Sequence, residues 1–132
     1  MSETEQRKII MVVDDEPEVR KLVAAMLNQF GYAAITADSG ERALALYKKH
    51  NAPIDLLVAD VVSPGMSGPM LADKLTALQP GLKVLYISGY DHTNVVQKYV
   101  VEKGHALLPK PFTMKQMEDK LAEVLKAGTA DG

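Results

Sequence analysis

Short apolar runs rich in β-branched residues alternate along this chain with longer stretches whose apolar residues recur every three or four positions. Lys8 to Val13 reads Lys-Ile-Ile-Met-Val-Val, a run suited to a strand buried on both faces. After Asp14-Asp15-Glu16, Pro17 suits a first helical position, where the missing N–H has no intrahelical use. Val19, Leu22, Val23, Met26, Leu27 and Phe30 then form a helical stripe, closed by Gly31 as a left-handed cap. The cycle repeats with a weaker strand over Ala33 to Ala37 and a helix capped by Ser39 that carries Ala43, Leu44, Leu46 and Tyr47. Leu56 to Ala59 predicts a strand ending at Asp60; a loop over Ser63 to Gly68 and a helix with Leu71, Leu75 and Leu78 on one face follow. Lys83 to Ile87 is a further strand, ending at Ser88-Gly89. Thr93 to Lys103 predicts a valine-rich helix of weak intrinsic propensity. Ala106 to Leu108 is a short strand. Thr113 to Leu125 is a helix opened by a Thr113–Gln116 capping box, with Met114, Met117, Leu121, Val124 and Leu125 as its stripe.

Strands separated by helices run parallel, with right-handed crossovers and helices on both faces. A chain of 132 residues has the size of one domain. The expectation is a single domain over 1–132, with a core at 8–125 and flexible tails at 1–7 and 127–132.

Composition narrows the function. There are no cysteines, which excludes disulfide scaffolds, thiolate metal sites and cysteine nucleophiles. Fifteen basic against seventeen acidic residues give a net charge of −2, so no basic excess supports direct nucleic-acid binding. No apolar run approaches the ~20 residues of a membrane helix, and the polar N-terminus lacks a signal-peptide pattern. The expected location is the cytoplasm, without membrane association.

In parallel α/β sheets, ligands gather at the carboxyl ends of the strands, near the point where strand order reverses. The chemically capable residues fall there: Asp14 and Asp15 after the first strand, Asp60 at the end of the third, Ser88 after the fourth and Lys110 after the fifth. Singly, each has an ordinary structural explanation as a cap, turn former or solvated charge. Together they bring three carboxylates, a hydroxyl and an ammonium to one edge. Three such carboxylates repel one another, and Lys110 or a hard cation such as Mg²⁺ must offset them. The seven methionines are mostly at core-facing helical positions, and His50, His92 and His105 lack metal-binding spacing.

The sets Val12-Val13-Asp14-Asp15-Glu16, Asp60 to Gly68, Ile87-Ser88-Gly89 and Lys110-Pro111-Phe112, in this order and spacing, resemble the response-regulator receiver domains of two-component signalling, most of all those attached to hybrid histidine kinases. The resemblance spans Lys8 to Leu125. It implies a flavodoxin-like (βα)5 three-layer sandwich with sheet order 2-1-3-4-5. It implies Asp60 as the phosphoacceptor, taking a phosphoryl group from a histidine kinase or phosphotransfer protein. Asp15 and Asp60 would bind Mg²⁺ (or Mn²⁺) directly, Asp14 through water, and the backbone carbonyl of Val62 would be another ligand. Lys110 and Ser88 would contact the phosphoryl group, Gly89 would hinge the loop, and Lys110–Pro111 would be cis. Val62 and Tyr90 would flank the path of the attacking water. Partners implied are the donor, a downstream target or attached output domain, and a second copy after phosphorylation. Such a chain catalyses only its own phosphorylation and dephosphorylation.

Two positions depart from the family pattern. Leu107 replaces a switch aromatic and is expected simply to pack against the sheet, and Pro109 requires the last strand to lie at an edge. Two other functions stay open: a pseudo-receiver acting as a pure protein-binding module, and a Mg²⁺-dependent phosphatase using Asp60. The latter usually has a second Asp where Val62 stands. A flavodoxin would instead need a hydroxyl- and glycine-rich phosphate loop after the first strand, where this chain has an acidic pair.

Overall fold

The computed structural model describes residues 7–50, 52–62, 65–89 and 104–127. The elements are β1 (Ile9–Val13), α1 (Pro17–Gln29), β2 (Ala33–Ala37), α2 (Gly40–His50), β3 (Leu56–Asp60), α3 (Gly68–Leu78), β4 (Lys83–Ser88), β5 (Ala106–Pro109) and α4 (Met114–Ala127). The five strands form one parallel sheet in the order β2-β1-β3-β4-β5. This is the expected flavodoxin-like order, with four helices among the described residues. The valine-rich segment expected to be helical over Thr93 to Lys103 lies outside them, as do both termini.

Strand periodicity builds two cores. Successive side chains point to opposite sides of a sheet. Met11 and Val13, Leu57 and Ala59, and Val84 and Tyr86 pack on one side with Ala43 of α2 and Leu71, Ala72 and Leu75 of α3. Ile10 and Val12, Leu56 and Val58, and Leu85 and Ile87 pack on the other with Val23, Met26 and Leu27 of α1 and Met117, Leu121 and Leu125 of α4. The three central strands are almost fully apolar because both of their faces are covered.

The helix ends follow their local sequence. The Ser39 hydroxyl accepts the Arg42 N–H at 3.0 Å. In α4 the capping box closes in both directions, with Gln116 N–H on Thr113 Oγ1 at 3.0 Å and Thr113 N–H on Gln116 Oε1 at 2.8 Å. At the end of α1, Gly31 has φ +95° while its N–H bonds to the Asn28 carbonyl and that of Tyr32 to the Leu27 carbonyl. That double closure requires the left-handed conformation that glycine adopts without penalty.

The apolar stripes are narrower than periodicity suggests. Leu22, Leu78 and Met114 are 53%, 51% and 40% exposed. Leu22 lies about 100° round the helix from Val23, on the flank of the buried face. Leu78 and Met114 are terminal helical residues, one turn beyond the last buried positions, Leu75 and Met117. Past Leu78 it is Gln79 that turns inward, its amide bonding both backbone groups of Ile54 and the Tyr47 hydroxyl. The methionines divide: Met11, Met26 and Met117 are buried, Met66 packs against the core from a loop, and Met70 and Met114 are exposed. Only two of these are buried helical positions, so the expectation of mostly core-facing helical methionines does not hold.

One backbone contact joins the fold to the sheet edge that carries the acidic residues. Gly68, the first residue of α3, lies so close to the end of β3 that a Cβ would stand 2.3 Å from the Asp60 carbonyl oxygen. Its own N–H bonds to the Val61 carbonyl at 3.2 Å. Any side chain would have to push α3 away from the strand. Gly68→Ala is expected to lower unfolding free energy by about 1–3 kcal/mol, the usual range for overpacking. Urea denaturation of both proteins at one pH measures it, and equal midpoints would show that the approach is not needed.

Candidate functional site

In the order β2-β1-β3-β4-β5, the chain moves one way from β1 and the other way from β3, so the reversal lies between these two strands. Asp14 directly follows β1 and Asp60 is the last residue of β3, which places their carboxylates on either side of it. Backbone bonds extend the sheet beyond the strand ends. Asp14 N–H reaches the Ala37 carbonyl at 3.2 Å, Val61 N–H the Ile87 carbonyl at 3.1 Å, and Lys110 N–H the Ser88 carbonyl at 2.8 Å. The last of these fixes Lys110 beside the end of β4. β5 is an edge strand, so Pro109 removes no ladder bond that a neighbour would require.

Lys110 is the electrostatic centre. Its Nζ lies 2.9 Å from Asp60 Oδ2 and 3.8 Å from both Asp14 Oδ2 and Glu16 Oε1. Burial opposes its charge, but the hydrogen bond it donates to Asp60 and the charges of Asp60, Asp14 and Glu16 outweigh burial and raise its pKa above the ordinary value. Asp60 Oδ1 accepts the Val62 N–H at 2.9 Å, so both carboxylate oxygens are engaged.

Asp14 is less well served. Oδ1 accepts the Glu16 N–H at 2.9 Å, while the buried Oδ2 has no hydrogen-bond partner. Burial raises the Asp14 pKa; the Glu16 N–H and Lys110 oppose this, and the charges of Asp60 and Asp15 reinforce it. Asp14, Asp15 and Asp60 each offer one oxygen, and these atoms lie within 4.8 Å of one another. A hard divalent cation taking carboxylate oxygens fits this set. It would supply the close partner that the buried Asp14 Oδ2 lacks and add to Lys110 in offsetting repulsion among the three carboxylates.

The other predicted residues sit as follows. Ser88 is buried, and its hydroxyl donates to the Gly89 carbonyl at 3.0 Å. Val62 is half exposed beside Asp60. Leu107 packs against the core cluster that contains Tyr86, as its bland reading expected. The Lys110–Pro111 peptide is cis. Tyr90 and His92 lie outside the described residues. Glu16, which the sequence places beside the acidic pair without a role of its own, faces Lys110, and sequence reasoning overlooked Arg20, whose guanidinium donates to the Asp14 carbonyl at 2.7 Å. The available signal was spacing: a side chain in the second turn of a helix leans back toward its N-terminus.

Fold and site together define a doubly wound α/β domain whose strand-end edge carries an acidic cluster countered, among the described residues, by Lys110. The sequence model of the response regulator receiver domain matches residues 10–122, and the chain belongs to that family, the phosphoaccepting domains of two-component signalling. Among curated relatives, the sensor kinase CckA of Brucella abortus is 32% identical over 117 residues, covering 89% of this chain but 12% of the kinase. The receiver protein CpdR of the same organism is 28% identical, covering 91% of this chain and 98% of CpdR. A cyclic di-GMP phosphodiesterase of Thermotoga maritima matches over only 31% of its length, so this chain spans a minor part of some relatives and nearly all of others. Among solved structures, the receiver domain of the hybrid histidine kinase CckA superposes with a TM-score of 0.73 at 32% identity, covering 89% of this chain and 98% of that domain. A CheY-like receiver protein from Methanospirillum hungatei gives a TM-score of 0.84 at 27% identity, covering 96% and 99%. No helix among the described residues is long and apolar enough to cross a membrane.

The Asp14 environment has a measurable consequence. Its folded pKa stands above the ordinary value of 3.8, so the folded chain holds this proton more tightly than the unfolded chain. That contribution to stability is complete below the unfolded value and is lost as pH rises through the folded one. In chelator near neutral pH, Asp14→Asn is therefore expected to be more stable than wild type, with the difference shrinking toward acid. Thermal melts from pH 4 to 8 in chelator check this, and an unchanged or lower Tm at pH 7 would contradict it.

Proposed function

We propose that this chain accepts a phosphoryl group on Asp60 from a phosphohistidine of a kinase or phosphotransfer protein, and thereby switches a surface read by a downstream protein or an attached output domain. The observation that carries this reading is the Lys110–Asp60 pair at 2.9 Å, set among acidic oxygens within 4.8 Å of one another. A carboxylate oxygen of Asp60 attacks phosphorus, the P–N bond to the donor imidazole breaks, and the imidazole leaves with the bonding pair. The product is a mixed anhydride on Asp60. Little covalent chemistry falls to the protein here; positioning and charge stabilisation dominate.

Asp14, Asp15, Asp60 and the Val62 carbonyl would hold Mg²⁺ (or Mn²⁺), which when bound supplies positive charge to the phosphoryl oxygens. Lys110 supplies a second positive charge, already in contact with Asp60. Ser88 can donate to a phosphoryl oxygen only by giving up its bond to the Gly89 carbonyl, which couples the loop after β4 to the state of Asp60. The intact acidic set and lysine favour this reading over a pure binding module, and Val62 in place of a second acid favours it over a phosphatase.

With acetyl phosphate and Mg²⁺, intact mass is expected to show one added phosphoryl group, peptide mapping to place it on Asp60, and Asp60→Asn to abolish it. Full labelling of the Asn variant would overturn the assignment, and an unlabelled wild type would favour the binding module. The lifetime of the product is a separate matter. Val62 offers no carboxylate or amide to position an attacking water, and the Tyr90 side chain lacks both as well. Val62→Asn with Tyr90→Glu is expected to speed phosphate release by ~10-fold, about 1.4 kcal/mol of barrier. Equal release rates, with phosphorylation intact, would show that these positions only fill space.

A further inference from the structure

The loop between β1 and α1 holds two of the three clustered carboxylates, and like charges at this spacing push it apart. Two bonds resist. Asp14 Oδ1 accepts the Glu16 N–H at 2.9 Å, and the Arg20 guanidinium donates to the Asp14 carbonyl at 2.7 Å. Arg20 is also anchored in the same turn, its own N–H bonding to the Glu16 carbonyl at 3.0 Å. Glu16, the N-cap of α1, makes no side-chain capping bond, so these contacts largely define the loop.

What Arg20 leaves alone is equally informative. Among the described residues it forms no ion pair with any carboxylate, although Asp14, Asp15 and Glu16 are all close in the chain. Its charge is spent on a backbone carbonyl, in a charge-assisted bond stronger than a neutral one. An arginine there to neutralise the cluster would pair with a carboxylate and compete with a cation. One that grips the backbone leaves every acidic oxygen available while preventing the loop from splaying.

We propose that Arg20 is a positioning residue for the acidic site, clipping the Asp14 backbone so that the Asp14 and Asp15 carboxylates hold cation-binding geometry before a cation arrives. This rests on the phosphoacceptor reading above and deepens it. Two effects of removing Arg20 oppose each other, which makes the sign decisive. Loss of a nearby positive charge alone would tighten Mg²⁺ binding. Loss of the clip would weaken it, because the cation must then gather a loosened loop, and outer partners of metal ligands typically contribute tenfold or more to affinity.

The test compares wild type, Arg20→Met and Arg20→Lys by Mg²⁺ titration, followed through amide NMR shifts, at a temperature where each is folded. Arg20→Met, which keeps the apolar stem, is expected to raise the Mg²⁺ Kd by about tenfold. Arg20→Lys, which keeps one donor on a shorter reach, is expected to fall between the two. In chelator the Glu16 amide should exchange faster in Arg20→Met. With acetyl phosphate, the Mg²⁺ concentration for half-maximal phosphorylation should rise, while the rate at saturating Mg²⁺ stays within about twofold of wild type. A purely structural role would lower Tm without moving the Kd, and that result overturns the proposal. So does tighter Mg²⁺ binding, which would mean that Arg20 acts only through its charge. Should Arg20→Met not fold, Arg20→Lys decides: a Kd equal to the wild type's rejects the clip. A wild type that binds no Mg²⁺ and takes no phosphoryl group rejects the phosphoacceptor reading itself, and the clip with it.

Discussion

Repulsion among carboxylates gathered at one end of a parallel sheet is the constraint on which the rest of this structure turns. Asp14, Asp60 and Glu16 face one ammonium among the described residues, that of Lys110, which makes close contact with Asp60 alone. Asp14 carries the cost: burial raises its pKa, the charges of Asp60 and Asp15 add to this, and its buried Oδ2 has no hydrogen-bond partner. An arrangement of this kind is a poor stabilising device, since a buried polar atom without a partner typically costs about 1–3 kcal/mol. Nor could it attract an anionic phosphoryl group unaided. The two problems share one solution. A divalent cation would satisfy the acids and leave a local field that an anion could enter, so each ligand would create the conditions for the other.

The scaffold makes such a strained cluster tolerable. The strands beneath Asp14 and Asp60 are sealed on both faces, and residues such as Ile10, Leu56, Leu57 and Leu85 are fully buried. The strand ends therefore cannot retreat from one another when charges repel. Local fixings then aim the groups: the Asp60 carboxylate through the Val62 N–H, Lys110 through the Ser88 carbonyl, and α3 through the close approach of Gly68 to the Asp60 carbonyl. Ser88 stands at a junction, because its carbonyl holds Lys110 while its hydroxyl holds the Gly89 carbonyl. The two contacts use different atoms of Ser88, so the hydroxyl bond to Gly89 could break without breaking the backbone bond to Lys110.

Most of this architecture is legible in the residues themselves, for an identifiable reason. The alternation of buried strands with amphipathic helices is written in side-chain period, and period is what the two core clusters read. The acidic residues and Lys110 could be located because parallel topology sends strand-end residues to one edge. Strand order was different: nothing in period or composition distinguishes 2-1-3-4-5 from its rivals, and only resemblance supplied it. Periodicity also overreached at Leu22, Leu78 and Met114. Leu22 lies at the flank of its stripe, while at Leu78 and Met114 the stripe runs past the last buried turn, because period records direction and not where the packing beneath ends.

Arg20 and Gly68 show where the sequence stops speaking. Each acts on a backbone carbonyl, Arg20 by donating to that of Asp14 and Gly68 by approaching that of Asp60 without a Cβ. Every residue carries a carbonyl, so no residue type marks the partner, and hydrophobic patterning is blind to both contacts. The side chains that would handle the phosphoryl group are few and chemically conspicuous. The groups that keep them in place are ordinary residues whose role exists only once the chain is folded. The Glu16–Lys110 approach belongs to the same class: a cap position by sequence becomes part of the electrostatic site because the β5 end is brought beside the β1 end. The precision of the site is thus a property of tertiary backbone geometry, while its chemistry is a property of composition, and the two are carried by different residues.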